Sequence, residues 1–344
     1  MLEIGNLKLK SKFILAPMAG ISDLPYRLLN RAFGAELAFI EMINCRSLSF
    51  NSRKTKQMLE VHADDRPLGV QLLGVEPKFI LKALEVIHTY NFDLLDFNAA
   101  CPAKKVIRRG EGAGLLKDVK KLQELLKLVV KNSRIPVTVK LRTGWDEQSV
   151  NALDTAYAAM DAGVSAVFIH GRTRMQGYSG SVDYESIRQV KKALKIPVIA
   201  SGDLLSPGLI KEMFARTGCD AVAIARGTLG NPWIFQEAEE FLRNGNLTIK
   251  PDIQEVVEVM GRHLDDCVDF YGERVGVVKF RKFFSWYTKG FRKIRPLRQE
   301  ASTANTKKAM LGIIALCKGQ YKSRPGTSGQ DKQKTPDVFG VFCR

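Results

Sequence analysis

Eight short apolar runs in this chain each end on a polar or polarisable residue, and those residues are where chemistry could be done. Met18 follows Phe13–Ala16, Glu41 closes Leu37–Glu41, Gln71 lies near the end of Leu68–Leu72, and Asn98 follows Leu94–Phe97. Lys140 lies in Val137–Leu141, His170 ends Ala166–His170, Ser201 follows Val198–Ala200, and Arg226 follows Ala221–Ala225. A thioether, a carboxylate, two amides, an amine, an imidazole, a hydroxyl and a guanidinium can together hold an anion, orient a flat ring and move a proton. Singly, each has a plainer reading. A histidine can be a satisfied core residue and a glutamine a structural amide. Cys101, three residues beyond Asn98, is by itself more often a small buried hydrophobe than an acid. A surface lysine fits poorly after Val137-Thr138-Val139.

What could bring these residues together is the order of the runs. Several are apolar at consecutive positions, Ala166-Val167-Phe168-Ile169 among them, as in parallel strands buried on both faces. Amphipathic stretches separate them, at Phe79–Thr89, Val119–Lys131, Ala152–Ala162, Tyr184–Leu194 and Leu209–Ala215. Eight such βα units within about 240 residues predict an α/β fold, a closed (β/α)₈ TIM barrel, with residues 2–11 as a hairpin under its floor. In such barrels the chemistry sits at the C-terminal strand ends. Three domain-level pieces are expected: a barrel over 1–245, a small helical bundle over 246–317 and a flexible tail over 318–344.

The bundle is predicted from apolar spacing in 252–271, from a second helix over Val275–Lys289 and from a third over Thr306–Cys317. The chain of 344 residues carries 53 Lys and Arg against 36 Asp and Glu, a formal charge of +17. Residues 241–344 hold 20 of those cations against 10 acids, and Arg274–Arg298 has nine cations and no acid. Phe280, Phe284, Tyr287 and Phe291 share one helical face and should pack inward. Lys279, Lys282, Trp286, Lys289 and Lys293 form a neighbouring face, basic around one aromatic, suited to phosphates and an unpaired base. A solvated helix face is the plain alternative.

Six cysteines without a CxxC pair argue against a disulfide framework and a zinc site, so no metal is expected. No apolar stretch approaches a membrane span and no leader is visible, so a soluble, cytoplasmic protein is expected. Nothing marks a stable protein partner, so we expect a monomer. Gly110-Glu111-Gly112-Ala113-Gly114 is a weak dinucleotide signal without a preceding strand; we read it as a mobile loop able to close the Cys101 segment over substrate, with a plain turn leading into a helix as the alternative that spacing does not separate from it.

Taken in order, Ala16-Pro17-Met18-Ala19-Gly20 with Asp23, Gln71, and Asn98-Ala99-Ala100-Cys101-Pro102-Ala103-Lys104-Lys105 resemble the tRNA-dihydrouridine synthases, most of all their bacterial B-type branch. The likeness continues through Val139-Lys140-Leu141-Arg142-Thr143-Gly144, His170-Gly171-Arg172-Thr173-Arg174, Ser201-Gly202-Asp203, Ala225-Arg226-Gly227 and Pro232-Trp233-Ile234-Phe235. It spans about residues 12–300 and leaves out the tail. Two positions depart: the family commonly has Asn where Ser201 stands and Gly where Ala225 stands.

The resemblance implies an FMN-dependent enzyme that reduces the C5=C6 bond of uracil in tRNA, with NADPH (or NADH) as reductant. Hydride would reach C6 from the flavin, and Cys101 would give the proton to C5. An ordinary thiol, with a pKa of about 8.5, is mostly protonated at neutral pH. Pro17, Met18 and Ala19 would cover one flavin face, Gln71 and Lys140 would meet its pyrimidine edge, and His170 would bond the ring or its phosphate. Ser201, Gly202, Asp203, Ala225 and Arg226 would hold the phosphate. Asn98 and Arg142 would touch a uracil flipped out of the tRNA, and the B-type likeness points to the D-loop. A flavin barrel acting on a free pyrimidine, of the dihydroorotate or dihydropyrimidine dehydrogenase kind, shares the barrel, the flavin and an acid at the barrel mouth but needs no basic helical appendix.

Overall fold

The computed structural model of the chain describes residues 1–50, 53–246 and 251–320. A hairpin of β1 (Leu2–Ile4) and β2 (Leu7–Leu9) comes first. The remaining strands are β3 (Phe13–Leu15), β4 (Leu37–Phe39), β5 (Ile43–Asn44), β6 (Leu68–Leu73), β7 (Leu94–Asn98), β8 (Val137–Arg142), β9 (Ala166–His170), β10 (Val198–Ser201) and β11 (Ala221–Ile224). Apart from the spur β5, these are the eight predicted runs, with ends shifted by two residues at most. All pair in parallel in the order β3-β4-β6-β7-β8-β9-β10-β11. The ring closes where Val222–Ile224 of β11 pair with Phe13–Leu15 of β3. The fold is a TIM barrel.

Strand alternation sorts the side chains into two buried layers. Ile14, Leu37, Phe39, Leu94, Ala166, Phe168, Ile199, Ala221 and Ala223 fill the barrel interior above Leu2, Ile4 and Leu9 of the hairpin. Residues of the other parity, such as Leu15, Ala38, Val70, Leu95 and Val139, pack outward under the helices. Phe39 meets Phe168 edge to face across the interior, at 5.6 Å between ring centroids. There is no room for a side chain opposite: a Cβ at Gly69 would collide with the Phe39 ring. Continued upward, the interior parity delivers Met18, Glu41, Gln71, Asn98, Lys140, His170, Ser201 and Ala225 to one mouth.

The outer helices Pro77–Ile87, Val119–Asn132, Ala152–Asp161, Tyr184–Ala193 and Pro207–Thr217 fall within two residues of their predicted bounds. Leu24–Ala32 and Ile234–Asn244 were not foreseen. Beyond Pro251 the helices Ile253–Tyr271, Glu273–Tyr287, Arg295–Thr303 and Lys307–Leu316 pack on one another. Three match the expected helices. Arg295–Thr303 was missed because Ala301 alone is fully buried in it, too little for an apolar stripe. Phe280, Phe284, Tyr287 and Phe291 are buried as expected, around Met260, His263 and Leu264. Burying each phenylalanine contributes about 2–3 kcal/mol. Of the expected tail, residues 318–320 belong to a short 3₁₀ turn, Cys317–Gln320, and 321–344 lie outside the described residues.

Candidate active site

Cys101 stands just past β7 at the barrel mouth and is half-buried, whereas Cys45, Cys219, Cys267 and Cys317 are buried. Burial pushes those thiols upward, Cys45 to about 12 and Cys219 to about 11. The turn that presents Cys101 is held by one amide. Asn98 Oδ1 accepts from the Ala100 N–H at 3.1 Å and the Cys101 N–H at 2.8 Å. That fixes Asn98 Nδ2 as a donor, to Gln71 Oε1 at 2.9 Å, and Gln71 Nε2 then donates to Asp96 Oδ2 at 2.8 Å. Thr138 donates to the other Asp96 oxygen at 2.7 Å. A chain of polar contacts therefore runs across β8, β7 and β6 into the cysteine turn. Burial raises the Asp96 carboxyl to about 6, against the pull of Thr138, Gln71 and Lys140.

Gly110-Glu111-Gly112-Ala113-Gly114 is not the free loop expected. Gly112–Lys117 form a 3₁₀ helix beneath Cys101, and the Ala113 N–H donates to the Cys101 carbonyl at 3.1 Å. Glycine is required at 112, where φ is +58° and a Cβ would lie 2.8 Å from the Cys101 oxygen. Glu111 is buried against Asn44 Nδ2 at 3.0 Å and Arg109 Nε at 3.0 Å. Contacts on both sides make this segment a packed backing for the cysteine, not a closing flap.

A second cluster gathers beside Cys101 at the ends of β8 to β11. Lys140 Nζ donates to Ser201 Oγ at 2.5 Å. Burial lowers its ammonium to about 7, although Asp96 pulls the other way. Arg172 and Arg226 both pair with Asp203, Arg226 at 2.7 Å, while Arg226 lies 4.6 Å from the Tyr178 ring centroid. Arg142 gives Nε to the Ala100 carbonyl at 2.8 Å and Nη1 to the carbonyls of Thr173 and Gly177. It is 2% exposed, and burial lowers it to about 10. Those bonds make Arg142 a clamp joining the cysteine turn to the loop after β9, where the sequence suggested a substrate contact. His170 is held neutral: burial first, then Arg142, Lys140, Arg172 and Arg226, push its imidazolium far below the usual range.

The cluster's chemistry fits an anionic, ring-bearing cofactor. Lys140, Arg142, Arg172 and Arg226 outnumber the two carboxyls among them, Asp203 and Asp96, an excess of positive charge in a buried place. His170 Nε2 is buried without a partner. A side chain at Gly227 would collide with the Leu204 carbonyl, and Gly202 has φ +129°, so backbone approaches closely on this side. Met18 is buried under the mouth, with Pro17 and Ala19 half-buried beside it. Gln71 has both ends of its amide engaged, Nε2 by Asp96 and Oε1 by Asn98.

The expected basic face of Glu273–Tyr287 is divided. Lys282 turns inward and donates to the Gly20 carbonyl in the loop after β3, beside Asp23 and Glu41. Tyr271 donates to Asp23 Oδ2 at 2.9 Å, and Lys279 lies 4.2 Å over the Tyr271 ring. Glu41 accepts from the Gly20 N–H. Trp286 is half-buried and edge-on to Phe283 at 5.5 Å, with its backbone against Gly230. These residues make the seam between helices and barrel. Lys289 and Lys293 face solvent. Asp96 and Tyr178 were missed by the sequence reading. The signal for Asp96 was a lone carboxylate inside the apolar run Leu94–Phe97.

The sequence model of the family described as Dihydrouridine synthase (Dus) matches residues 14–320. A probable tRNA-dihydrouridine synthase of Rickettsia bellii is 40% identical over 291 residues, 84% of this chain and 89% of the relative. The tRNA-dihydrouridine synthase B of Vibrio vulnificus is 38% identical over 315 residues, 92% of this chain and 97% of the relative. Among solved structures, a histamine dehydrogenase from Rhizobium sp. 4-9 superposes with TM-score 0.55 at 12% identity, over 77% of this chain and 50% of that one. That likeness is one of fold; this chain spans about half the length of the dehydrogenase.

Proposed function

This chain belongs to the dihydrouridine synthase family, and from that premise we propose that it reduces a uridine in tRNA to 5,6-dihydrouridine with FMN as its cofactor. One observation carries the reading. A half-open cysteine on a locked turn shares its barrel mouth with a cation-rich pocket in which His170 Nε2 has no partner.

In this account Pro17, Met18 and Ala19 cover one face of the ring, and Gln71 with Lys140 holds its pyrimidine edge. His170, Ser201, Gly202, Asp203, Ala225 and Arg226 hold the ribityl and phosphate end. Reduced FMN, replenished by NADPH or NADH, supplies hydride to C6 of the base when bound. Cys101 holds the proton destined for C5 and releases it as charge develops on that carbon. Asn98 fixes the backbone that aims the thiol, and Arg142 ties that backbone to the loop after β9. A stacked base cannot reach this depth, so the uridine must be drawn out of its helix first.

Two measurements test the reading. Dihydrouridine mapped in tRNA from cells lacking this protein should be missing at one or more positions and return on complementation. The purified chain should act on transcribed tRNA and leave free uridine untouched. Turnover of free pyrimidine with none on tRNA would replace this reading by the free-pyrimidine one.

A further inference from the structure

A group of cations free of ion pairs lies on the barrel rim, on the loops that follow β7, β8 and β9, across the mouth from the helices. Gly20, Asp23 and Glu41 follow β3 and β4 and meet the helices through Lys282 and Tyr271. In the ring of eight strands β8 stands opposite β3, flanked by β7 and β9. The loops after β7, β8 and β9 carry Lys104, Lys105, Arg108, Lys117 and Arg174, and among the described residues none of the five forms an ion pair with an acid. Arg109, one residue on, is answered by Glu111 at 3.0 Å.

Two of these cations crowd one aromatic. Lys117 Nζ lies 3.7 Å and the Arg174 guanidinium 4.6 Å from the ring centroid of Trp145, which follows β8 directly. Lys117 ends the 3₁₀ helix that backs Cys101, so the ring holds two like charges at a fixed place on the cysteine side. The Arg174 N–H bonds the Gly144 carbonyl at 2.9 Å, and the Met175 N–H bonds the Trp145 carbonyl at 2.9 Å, which pins the two loops together. Arg174 Nε is buried with no acceptor. Asp146 lies close enough to Lys117 to feel its charge but forms no ion pair with it, and its Oδ1 accepts from the Ser149 hydroxyl and from the N–H groups of Gln148 and Ser149. Repulsion between two fixed cations beside an aromatic is relieved by an anion that brings several charges in a row.

We propose that the Lys117–Trp145–Arg174 rim, continued by Lys104, Lys105 and Arg108, is a second tRNA contact. It grips the phosphates flanking the extruded uridine on the Cys101 side while the helices hold the opposite side. The proposal rests on the tRNA reading above and adds to it where the backbone is held.

The test uses the full chain and a transcribed tRNA. The parent, Lys117→Gln with Arg174→Gln, and a control pair at the barrel floor, Lys8→Gln with Lys10→Gln, lose charge equally in the two variants. The rim pair should bind tRNA roughly tenfold more weakly, with a slope of log K against log salt shallower by about 1.4–1.8, as expected for two lost phosphate contacts. The floor pair should keep the parent slope, and all three should share a thermal midpoint. Parent-like affinity and slope in the rim pair, or an equal loss in the floor pair, would overturn the proposal. If the midpoint of the rim pair falls, Trp145→Phe, which keeps a ring between the cations, must bind tRNA within about threefold of the parent; a larger loss counts against the rim. A parent that binds no tRNA would remove the uridine-reductase reading as well.

Discussion

Lys140 is subject to two opposed demands. Burial lowers its ammonium to about 7, while a phosphate or an electron-rich ring seated against it favours the charged form. The complex therefore holds a proton that the empty protein has begun to lose at pH 7, and binding takes up that proton. Affinity for FMN is expected to be greatest below pH 7 and to weaken as pH rises from 7 toward the raised value in the complex, by at most about tenfold per unit. Flavin titrations at pH 6, 7 and 8 check this. A flat profile, or one shared by Lys140→Met, contradicts it. That His170 and Lys140 stand at the barrel mouth was legible in the sequence, because each lies at the end of an apolar run that reads as a barrel strand. Asp96 was not, since its partners Gln71 and Thr138 come from two other strands, and only the register Gln71↔Asp96↔Thr138 makes them neighbours. The pairing of Asp203 with two arginines was hidden for the same reason: composition gives charges, not which of them meet.

At the scale of elements, the cysteine turn depends on what lies under it. Gly112 combines a left-handed backbone with direct contact to Cys101, so Gly112→Ala should cost about 1–2 kcal/mol for the backbone alone and more for the clash. Urea unfolding should show a lower midpoint, and turnover should fall as the thiol is displaced. A parent-like midpoint with full turnover would mean that the segment yields freely, as the flap first expected from its glycines would. The three glycines were visible; their purpose was not, because spacing cannot separate a hinge from a close approach. The barrel strands were far more legible, since consecutive apolar residues bounded by polar strand ends leave few alternatives.

For the whole molecule, the seam between barrel and helices is built on buried charge. Asp23 and Glu41 are both raised by burial and pulled back down by Lys282 and Lys279. Lys282→Met should therefore destabilise the fold by roughly 1–3 kcal/mol near neutral pH, less than a fully buried pair because Lys282 keeps some solvent. Without that cation the two carboxyls stay protonated to higher pH in the folded chain than in the unfolded one, so the variant loses stability as pH rises. Its deficit should be small near pH 4 and grow toward pH 7, and Lys282→Arg should restore most of it. An equal deficit at both pH values would remove the charge argument. Helical spacing placed Lys282 on an outward basic face. The seam overrode that placement, because periodicity describes one helix and says nothing of the barrel that meets it. Across the mouth from this seam, the cysteine side of the barrel must do its work on a base that tRNA presents. The most direct test loads parent and Cys101→Ala with FMN, reduces both, and follows dihydrouridine formation in transcribed tRNA in a single turnover. The account predicts formation at least roughly 100-fold slower in the variant, with tRNA affinity and flavin content unchanged. A variant that forms dihydrouridine at the parent's rate would contradict it.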